Sequence, residues 1–227
     1  ISYQKLLSAG IEVHLDNLKM LKSKLLIGSD GRASSIGSNA GIQRINYDYD
    51  QVSLVSAVKH ELSHNGEAHQ FFMPSGPLAI LPLPGNRSSI VWTEQRSVAE
   101  QINKLSTEKY LSELKLRFGD FRGNIKLDGK RFSYPLSLSV SEKIISKRIA
   151  LIGDAAHSLH PVAGQGLNLG IRDIASLTEV LVNAARRGED IGKCDVLGRY
   201  SVWRNFDRTS LYLVTHSVNR LFSNNNI

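Results

Sequence analysis

Residues 148–173 constrain the fold of this chain more than any other stretch. Residues 149–152 form a short apolar, β-branched run, which predicts a buried strand. Gly153 and Asp154 follow at once and place a carboxylate at the carboxyl end of that strand. In open α/β sheets ligands bind at this end of the strands. Asp154 is therefore a candidate ligand-binding residue.

The residues after this strand predict a glycine turn and then a helix. Pro161, Gly164 and Gly166 indicate a turn whose backbone can approach a ligand closely. An amphipathic helix is predicted from about Leu167 and is stopped by Gly188. Its apolar stripe is predicted to consist of Ile174, Leu177, Leu181 and Ala184. A strand, an acid, a glycine turn and a helix N-terminus together predict a pocket for a polar, electron-rich ligand.

Two motifs in this chain resemble those of a known enzyme family. Gly-Asp-Ala-Ala-His at 153–157, then Pro161, then Gly-Gln-Gly-Leu-Asn at 164–168 resemble the second flavin-binding motif of FAD-dependent aromatic-ring hydroxylases. Within this para-hydroxybenzoate hydroxylase-like family they most resemble the ubiquinone-biosynthesis hydroxylases. Residues 25–34 resemble the family's Asp-Gly motif, which lies near the flavin pyrophosphate and the nicotinamide cofactor. The resemblance covers nearly the whole chain.

The resemblance implies FAD as the cofactor and assigns residues to its binding. The implied FAD-binding residues are Asp30, Gly31, Gly153, Asp154, Pro161, Gly164, Gln165, Gly166, Leu167 and Asn168. Asp154 would accept hydrogen bonds from the ribityl hydroxyls. The amides at 166–168 and the positive helix end would stabilise negative charge on the flavin ring. No side chain is assigned a catalytic role, because the cofactor carries the chemistry.

The expected fold class is α/β of the mixed α+β kind. The resemblance implies part of an FAD-binding Rossmann-like domain, an antiparallel-sheet substrate domain and C-terminal helices. The expected ranges are 1–46 with the Asp-Gly motif, 47–142 for the substrate sheet, 143–190 with the second flavin motif, and 191–227 for a helical segment.

Local patterns predict the individual elements. Strands are predicted at 11–15, 25–28, 51–60, 71–72, 78–83, 89–93 and 132–140, the last one broken at Pro135. A capping box at 97–100 predicts one helix start, and 107–118 predicts a second helix, stopped by Gly119. Residues 196–221 carry an aromatic and apolar stripe at helical spacing, which is expected to pack in the core.

The resemblance also implies an activity and an incomplete chain. Family members use NAD(P)H and O2 to hydroxylate an aromatic ring, and the expected substrate here is a polyprenylated phenol of ubiquinone biosynthesis. They begin with a glycine-rich fingerprint for the adenosine half of FAD, which does not occur here. We therefore expect an N-terminally truncated fragment with weak or no turnover of its own. Gly37 stands where the Asp-Gly motif usually has Arg.

Composition indicates which partners and which cellular compartment to expect. The net charge is +7, but the basic residues are scattered and no nucleic-acid module is present, so nucleic acid is not an expected partner. A solvated basic surface is the favoured interpretation, and peripheral attraction to an acidic membrane or to a biosynthetic complex is the second. The single cysteine, Cys194, suits a reducing compartment, which predicts a cytoplasmic protein at or near the inner face of a membrane.

Other functions were weighed against the flavin hypothesis. His157 and His160 lack the spacing of a metal-binding pair, so no metal site is predicted. His157 is expected to be satisfied by local hydrogen bonds. Two alternatives from other classes stay open: a non-catalytic remnant of a hydroxylase, and a basic non-redox protein that binds a partner or a membrane surface.

Overall fold

The fold is described from a computed structural model, which covers residues 1, 3–159 and 164–222. The strands are β1 (Tyr3–Leu6), β2 (Ile11–His14), β3 (Met20–Ser23), β4 (Leu26–Gly28), β5 (Arg44–His60), β6 (His69–Met73), β7 (Gly76–Leu83), β8 (Arg87–Gln95), β9 (Ile125–Leu127), β10 (Phe132–Ser141), β11 (Ile145–Ser146), β12 (Ile149–Leu151) and β13 (His157–Ser158). The helices are α1 (Ser35–Asn39), α2 (Arg96–Asn103), α3 (Thr107–Phe118), α4 (Gln165–Arg186) and α5 (Cys194–Phe222). A 3-10 turn spans Gly153–Ala155.

The chain divides into two compact units. Unit 1 consists of Ile1–Tyr47 and Leu138–His216, and unit 2 contains Asp48–Ser137 and the end of α5 from Ser217. The expected class, a mixed α/β protein with an antiparallel sheet and C-terminal helices, is confirmed. The four domain ranges expected from the sequence stay predictions.

Unit 1 is organised around a short parallel pair of strands. β4 and β12 run side by side, and β11 pairs antiparallel with β12. All three residues of β12 are buried, as its continuous apolar sequence predicts. Leu177 and Val180 of α4 and Tyr200 of α5 pack in the same core. The Tyr200 hydroxyl donates to the carbonyl of Leu151, 2.9 Å away, so α5 is fixed directly to the central strand.

Unit 2 is an antiparallel sheet with helices against one face. β5, β8, β7 and β6 follow one another in the sheet, and β9 also pairs with β5. Alternate residues of β5 point into a core with α2 and α3, and the hydroxyls of Ser56 and Tyr110 are 2.9 Å apart there. α3 begins after the cap residue Ser106 and ends at Gly119, whose positive φ of 82° suits glycine.

The strand predictions were too short and incomplete. β5 begins at Arg44, well before the predicted start, and β1 and β3 were not predicted. β1 and β3 are short and wholly or largely exposed, so they carry no apolar alternation that a sequence pattern could reveal. The predicted break at Pro135 is wrong: β10 runs through it, because proline fits extended backbone and lacks only the N–H donor.

Two helix predictions also need correction. The capping box is wrong, because α2 begins at Arg96 after Gln95 and Ser97 lies inside the helix. The stripe of α4 is wrong at Ile174, which is 53% exposed. The buried face of α4 instead includes a charged residue, Asp173.

The apolar stripe of α5 is not a core stripe. Tyr200 is fully buried, but Trp203 is 50% exposed and Phe206 is 82% exposed. Helical spacing predicts that these side chains share a side of the helix, but it does not say that another element covers that side. In the described part of the chain, no helix has both the length and the apolar character that crossing a membrane requires.

Candidate functional site

A cavity of about 490 Å³ lies where β4 and β12 end. Leu151 of β12 is opposite Gly28 of β4 in a parallel register, so the carboxyl ends of both strands are adjacent. This is the position at which open α/β sheets bind ligands. Five of the predicted flavin-binding residues line the cavity: Gly31, Gly153, Asp154, Gly166 and Leu167. The two sequence motifs therefore meet at one place.

Asp154 presents a free carboxylate to this cavity. It lies in the 3-10 turn directly after β12 and is exposed. Within the described residues its side-chain oxygens have no hydrogen bond and no ion pair, although its backbone carbonyl is bound by Arg44. An uncommitted carboxylate at a cavity wall can accept hydrogen bonds from the hydroxyls of a ligand.

The Asp30 carboxylate binds the start of α1. Its carboxylate accepts hydrogen bonds from the Ser34 hydroxyl at 2.6 Å and the Ile36 amide at 3.0 Å, and Ser35 adds a third at 3.2 Å. Burial raises the pKa of Asp30, but these donors outweigh burial, and the pKa falls below its ordinary value. The Asp30 side chain therefore stabilises the start of α1, while its neighbour Gly31 lines the cavity.

The glycines of the second motif leave space open. Gly164 has φ of 60° and precedes α4 as its cap residue, so its conformation favours glycine. At Gly166 an added Cβ would meet no atom of the described residues within 4 Å, and the residue lines the cavity. Packing of the described residues therefore does not require glycine at 166. A ligand lying against the backbone would require it.

Of the remaining predicted residues, Asp30, Gly164, Gln165 and Asn168 are not among those that line the cavity. The side-chain amide of Asn168 donates to Oε1 of Gln165, 3.4 Å away, on the first turn of α4. Pro161 and His160 lie outside the described residues. The binding of FAD by any of the predicted residues stays a prediction.

Sequence reasoning missed half of the cavity wall. Ser29, Ile152, Gly170, Ile171 and Ile174 also line it. Gly170 lies close to the 3-10 turn, since a Cβ at 170 would be 3.4 Å from the Cα of Gly153. The exposure of Ile171 and Ile174, 54% and 53%, is explained by their position at the cavity. The glycine spacing 166 and 170, one helical turn apart, was the available signal.

A buried charged cluster lies behind the cavity. Asp173 of α4 is fully buried and accepts hydrogen bonds from the Gly153 amide at 2.9 Å and from Nε of Arg204 at 2.7 Å. Nε2 of His157 is 3.0 Å from the same carboxylate, at ion-pair distance but with poor N–H alignment. The expectation that His157 is satisfied by local hydrogen bonds is therefore wrong, because its nearest polar partner is in α4.

The groups around Asp173 favour its charged form. Burial raises the pKa of Asp173, but the nearby His157 imidazole and the hydrogen bonds from Arg204 and the Gly153 amide lower it more, and it lies below its ordinary value. Arg204 is in turn bound by Asp207 at 2.6 Å. The available sequence signal was a charged residue one helical turn from both Leu169 and Leu177, on the buried face of α4.

Arg44 holds the other side of the 3-10 turn. Its guanidinium donates to the carbonyls of Asp154 and Ala155 and to the hydroxyls of Ser139 and Ser141. Burial and then nearby Arg32 lower the pKa of Arg44 below its ordinary value, but a guanidinium stays charged at any physiological pH. A fixed cation thus holds the turn that carries Asp154.

A second cavity, of about 550 Å³, lies between α4 and α5. Three of its four charged side chains pair with one another, since Asp207 binds both Arg204 and Arg172. Its wall also includes an exposed acid, Glu179, but no glycine and none of the predicted flavin-binding residues. The cavity at the ends of β4 and β12 is therefore the better candidate site.

The donor set of this cavity fits the flavin half of FAD. Asp154 offers acceptors for hydroxyls, and Gly166 leaves room for a flat ring against the backbone. The cap of α4 has no side-chain hydrogen bond, and its first turn has no acid, so the positive helix end is open to electron-rich ligand atoms.

Comparisons with known proteins agree with this chemistry. A family model described as FAD binding domain matches residues 5–201. Ubiquinone hydroxylase UbiL of Rhodospirillum rubrum is 44% identical over 215 residues, covering 95% of this chain and 50% of that protein. Ubiquinone biosynthesis monooxygenase COQ6, mitochondrial, of Rattus norvegicus is 34% identical over 250 residues, covering 95% of this chain and 52% of that protein. The chain thus spans about half the length of these curated relatives.

Solved structures share the fold. PqsL, a probable FAD-dependent monooxygenase from Pseudomonas aeruginosa, has a TM-score of 0.76 at 21% identity, over 93% of this chain and 60% of that chain. Klebsiella pneumoniae HpxO, complexed with FAD and uric acid, has a TM-score of 0.77 at 16% identity, over 99% of this chain and 58% of that chain.

Proposed function

We propose, from the premise that this chain belongs to the FAD binding domain family, that the cavity at the ends of β4 and β12 holds the ribityl and ring half of FAD. The uncommitted carboxylate of Asp154 is the observation that carries this proposal. It is the one acid on the described wall of the cavity, and hydroxyl donors of a ribityl chain would satisfy it.

Each part of the site has a task in holding the cofactor. Asp154 accepts hydrogen bonds from ribityl hydroxyls, and Arg44 fixes the turn that carries it. The open amides at the start of α4 stabilise the electron-rich pyrimidine edge of the ring, by about 1 kcal/mol. Gly166 keeps the wall flat, so that the ring can lie against the backbone.

We further propose that the whole protein is a monooxygenase. When bound, FAD supplies the redox chemistry that passes electrons from NAD(P)H to O2. The named activities of UbiL and COQ6, which are 44% and 34% identical, support hydroxylation in ubiquinone biosynthesis. The proposed substrate is a polyprenylated phenol. A net charge of +7 would favour a place beside an acidic membrane, where lipid-tailed substrates concentrate.

An FAD titration of the purified chain tests the proposed site. We compare the chain with Asp154→Asn and with Asp16→Asn, a control for loss of an exposed acid that does not line the cavity. Flavin absorbance and tryptophan fluorescence report binding. Asp154→Asn should weaken FAD binding about tenfold, because one charge-assisted hydrogen bond is lost, and Asp16→Asn should not.

The proposed site and the proposed reaction are contradicted by different results. A folded chain that binds no FAD would overturn the proposed site, and so would equal affinity in the chain and Asp154→Asn. For the reaction, the full-length protein is assayed with NAD(P)H, O2 and either a polyprenylated phenol or a soluble aromatic acid. Oxidation of the soluble acid alone would overturn the proposed substrate class.

A further inference from the structure

Asp173 is a charged residue where the fold alone would favour an apolar one. It shares the buried face of α4 with Leu169 and Leu177, and none of its surface is exposed. A buried ion pair such as Asp173 with Arg204 is seldom more stable than apolar side chains of similar size, because both charges lose their hydration. Packing by itself therefore does not explain an acid at this position.

The hydrogen bond to the Gly153 amide supplies a reason. Gly153 is the second residue after the central strand β12 and has φ of 58°, which turns the chain out of the sheet. Its N–H is directed back at Oδ2 of Asp173, 2.9 Å away. The next residue is Asp154, whose carboxylate faces the cavity. Asp173 thus sets where the strand ends and where the turn begins.

The rest of the cluster holds the carboxylate itself in place. Arg204 of α5 binds Oδ1 at 2.7 Å, and Asp207 binds Arg204 at 2.6 Å. Gly170, one turn earlier on α4, lies against Gly153, since a Cβ at 170 would be 3.4 Å from the Cα of Gly153. Oδ1 of Asp173 therefore binds α5, and Oδ2 of Asp173 binds the Gly153 amide of the turn.

We infer that Asp173 is a positioning residue of the flavin site, which holds the Gly153 amide so that the Asp154 carboxylate is aimed into the cavity. Asp173 does not line that cavity and acts only through Gly153 and Asp154. The inference rests on the proposed function, since it concerns how the proposed FAD-binding acid is held.

Three variants of the full 227-residue chain test this inference. Asp173→Asn keeps the shape but removes the charge, so one amide oxygen must serve donors that two carboxylate oxygens served. Asp207→Asn disturbs the same charged cluster without touching Gly153. Leu177→Ala destabilises the same helix by removing core packing alone. FAD affinity is measured by titration at a temperature at which every variant is folded.

A second measurement needs no flavin. Hydrogen exchange of the Gly153 amide, followed by NMR in the cofactor-free chain, reports the bond to Asp173 directly. We expect slow exchange in the unmodified chain and in Asp207→Asn, and faster exchange in Asp173→Asn. FAD affinity should fall about tenfold in Asp173→Asn, the effect of losing a charge-assisted hydrogen bond, by less than that in Asp207→Asn, which acts on Asp173 only through Arg204, and by less than about twofold in Leu177→Ala.

Each outcome decides the inference. An equal loss of FAD affinity in Leu177→Ala and Asp173→Asn would overturn it, because general destabilisation would then suffice. If Asp173→Asn does not fold, rapid exchange of Gly153 in the unmodified chain would overturn it and slow exchange would support it. If the unmodified chain binds no FAD, the proposed function fails, while the exchange measurement still decides whether Asp173 holds Gly153.

Discussion

Gly166 and Asp154 are residues whose identity the folded chain does not explain. A side chain at 166 would meet no protein atom, and the carboxylate at 154 has no partner in the described residues. Most buried or turn-forming glycines and acids are accounted for by their neighbours, as Gly164 is by its positive φ and Asp30 by the start of α1. Unlike Gly198, which is also open, Gly166 and Asp154 lie at the wall of the cavity, so a ligand there would account for both.

Gly166→Ala should separate ligand binding from stability. The added methyl group meets open space, and alanine favours a helix, so the free energy of unfolding should be unchanged or raised by up to about 1 kcal/mol. FAD affinity should fall at least about tenfold, because the methyl group enters the cavity. Gly198→Ala in α5, also open, is the matched control and should leave FAD affinity unchanged. Normal FAD binding by Gly166→Ala would contradict the assigned ring position.

The motif residues could be predicted from the sequence, but the residues that hold them could not. Asp154 and Gly166 belong to a compact pattern, and both were placed at the cavity by the fold. Asp173 and Arg44 reach the 3-10 turn from other elements, and Arg204 binds Asp173. Their roles depend on how α4, α5 and β5 pack, and a one-dimensional pattern does not contain that information.

At the scale of elements, the pair of Arg148 and Asp190 joins the start of β12 to the connection between α4 and α5. Arg148 is buried, donates to both oxygens of Asp190, and also binds the carbonyl of Lys24 just before β4. Asp190 also accepts from the Gly192 amide at 3.0 Å. The hydrogen bonds from Arg148 lower the pKa of Asp190 to about 2, from an ordinary 3.8.

The stability of this connection should depend on pH with a defined sign. A carboxylate with a lowered pKa stabilises the fold above its unfolded pKa, and the contribution is lost as pH falls through its folded pKa. The unmodified chain should therefore be more stable than Asp190→Asn above about pH 4, and the difference should shrink toward pH 2. Urea unfolding from pH 2 to 7 measures it. A difference that does not change with pH would contradict the assignment.

The two helix starts of unit 2 give a paired prediction. The Ser106 hydroxyl accepts from the Lys109 amide at 3.3 Å, whereas Ser97 is exposed inside α2. Ser106→Ala should lower the free energy of unfolding by about 1 kcal/mol, the usual contribution of such a cap. Ser97→Ala should leave it unchanged or raise it by up to about 0.5 kcal/mol, because alanine is the better helix former. Thermal unfolding measures both variants. A lower free energy of unfolding in Ser97→Ala would support the capping box predicted from the sequence.

The start of α2 shows why the capping box failed. Residues 97–100 match the capping-box pattern. However, β8 continues to Gln95, and the helix begins at the next residue. The pairing of β8 with β5 extends to Gln51 opposite Gln95 and so determines where the helix can start. A tertiary contact overrode a local preference.

α5 contains both a fixing residue and exposed aromatic residues. Tyr200→Phe should cost about 1–2 kcal/mol of unfolding free energy, because the carbonyl of Leu151 loses its buried donor. Phe206→Ala should change it by less than about 0.5 kcal/mol, since the side chain is 82% exposed. Urea unfolding measures both. A large loss in Phe206→Ala would restore the predicted core stripe.

At the scale of the whole molecule, the sequence predicted the class of fold and the family. The alternation of the unit 2 strands predicted an antiparallel sheet, and two short motifs predicted the FAD family, which the family model confirms over residues 5–201. It did not predict the parallel pairing of β4 with β12. A three-residue strand carries too little pattern to choose its partner, and the partner lies far along the chain.

That pairing has a consequence for how the protein is made. β4 is synthesised before β12 and α4, which complete the cavity, and the unit 2 segment Asp48–Ser137 lies between them in the sequence. Contacts between such distant segments form slowly, because a long loop must close before they gain any stabilisation. The proposed flavin site is therefore incomplete until β12 and α4 have been synthesised. Flavin bound there would stabilise only chains that have already brought their two motifs together.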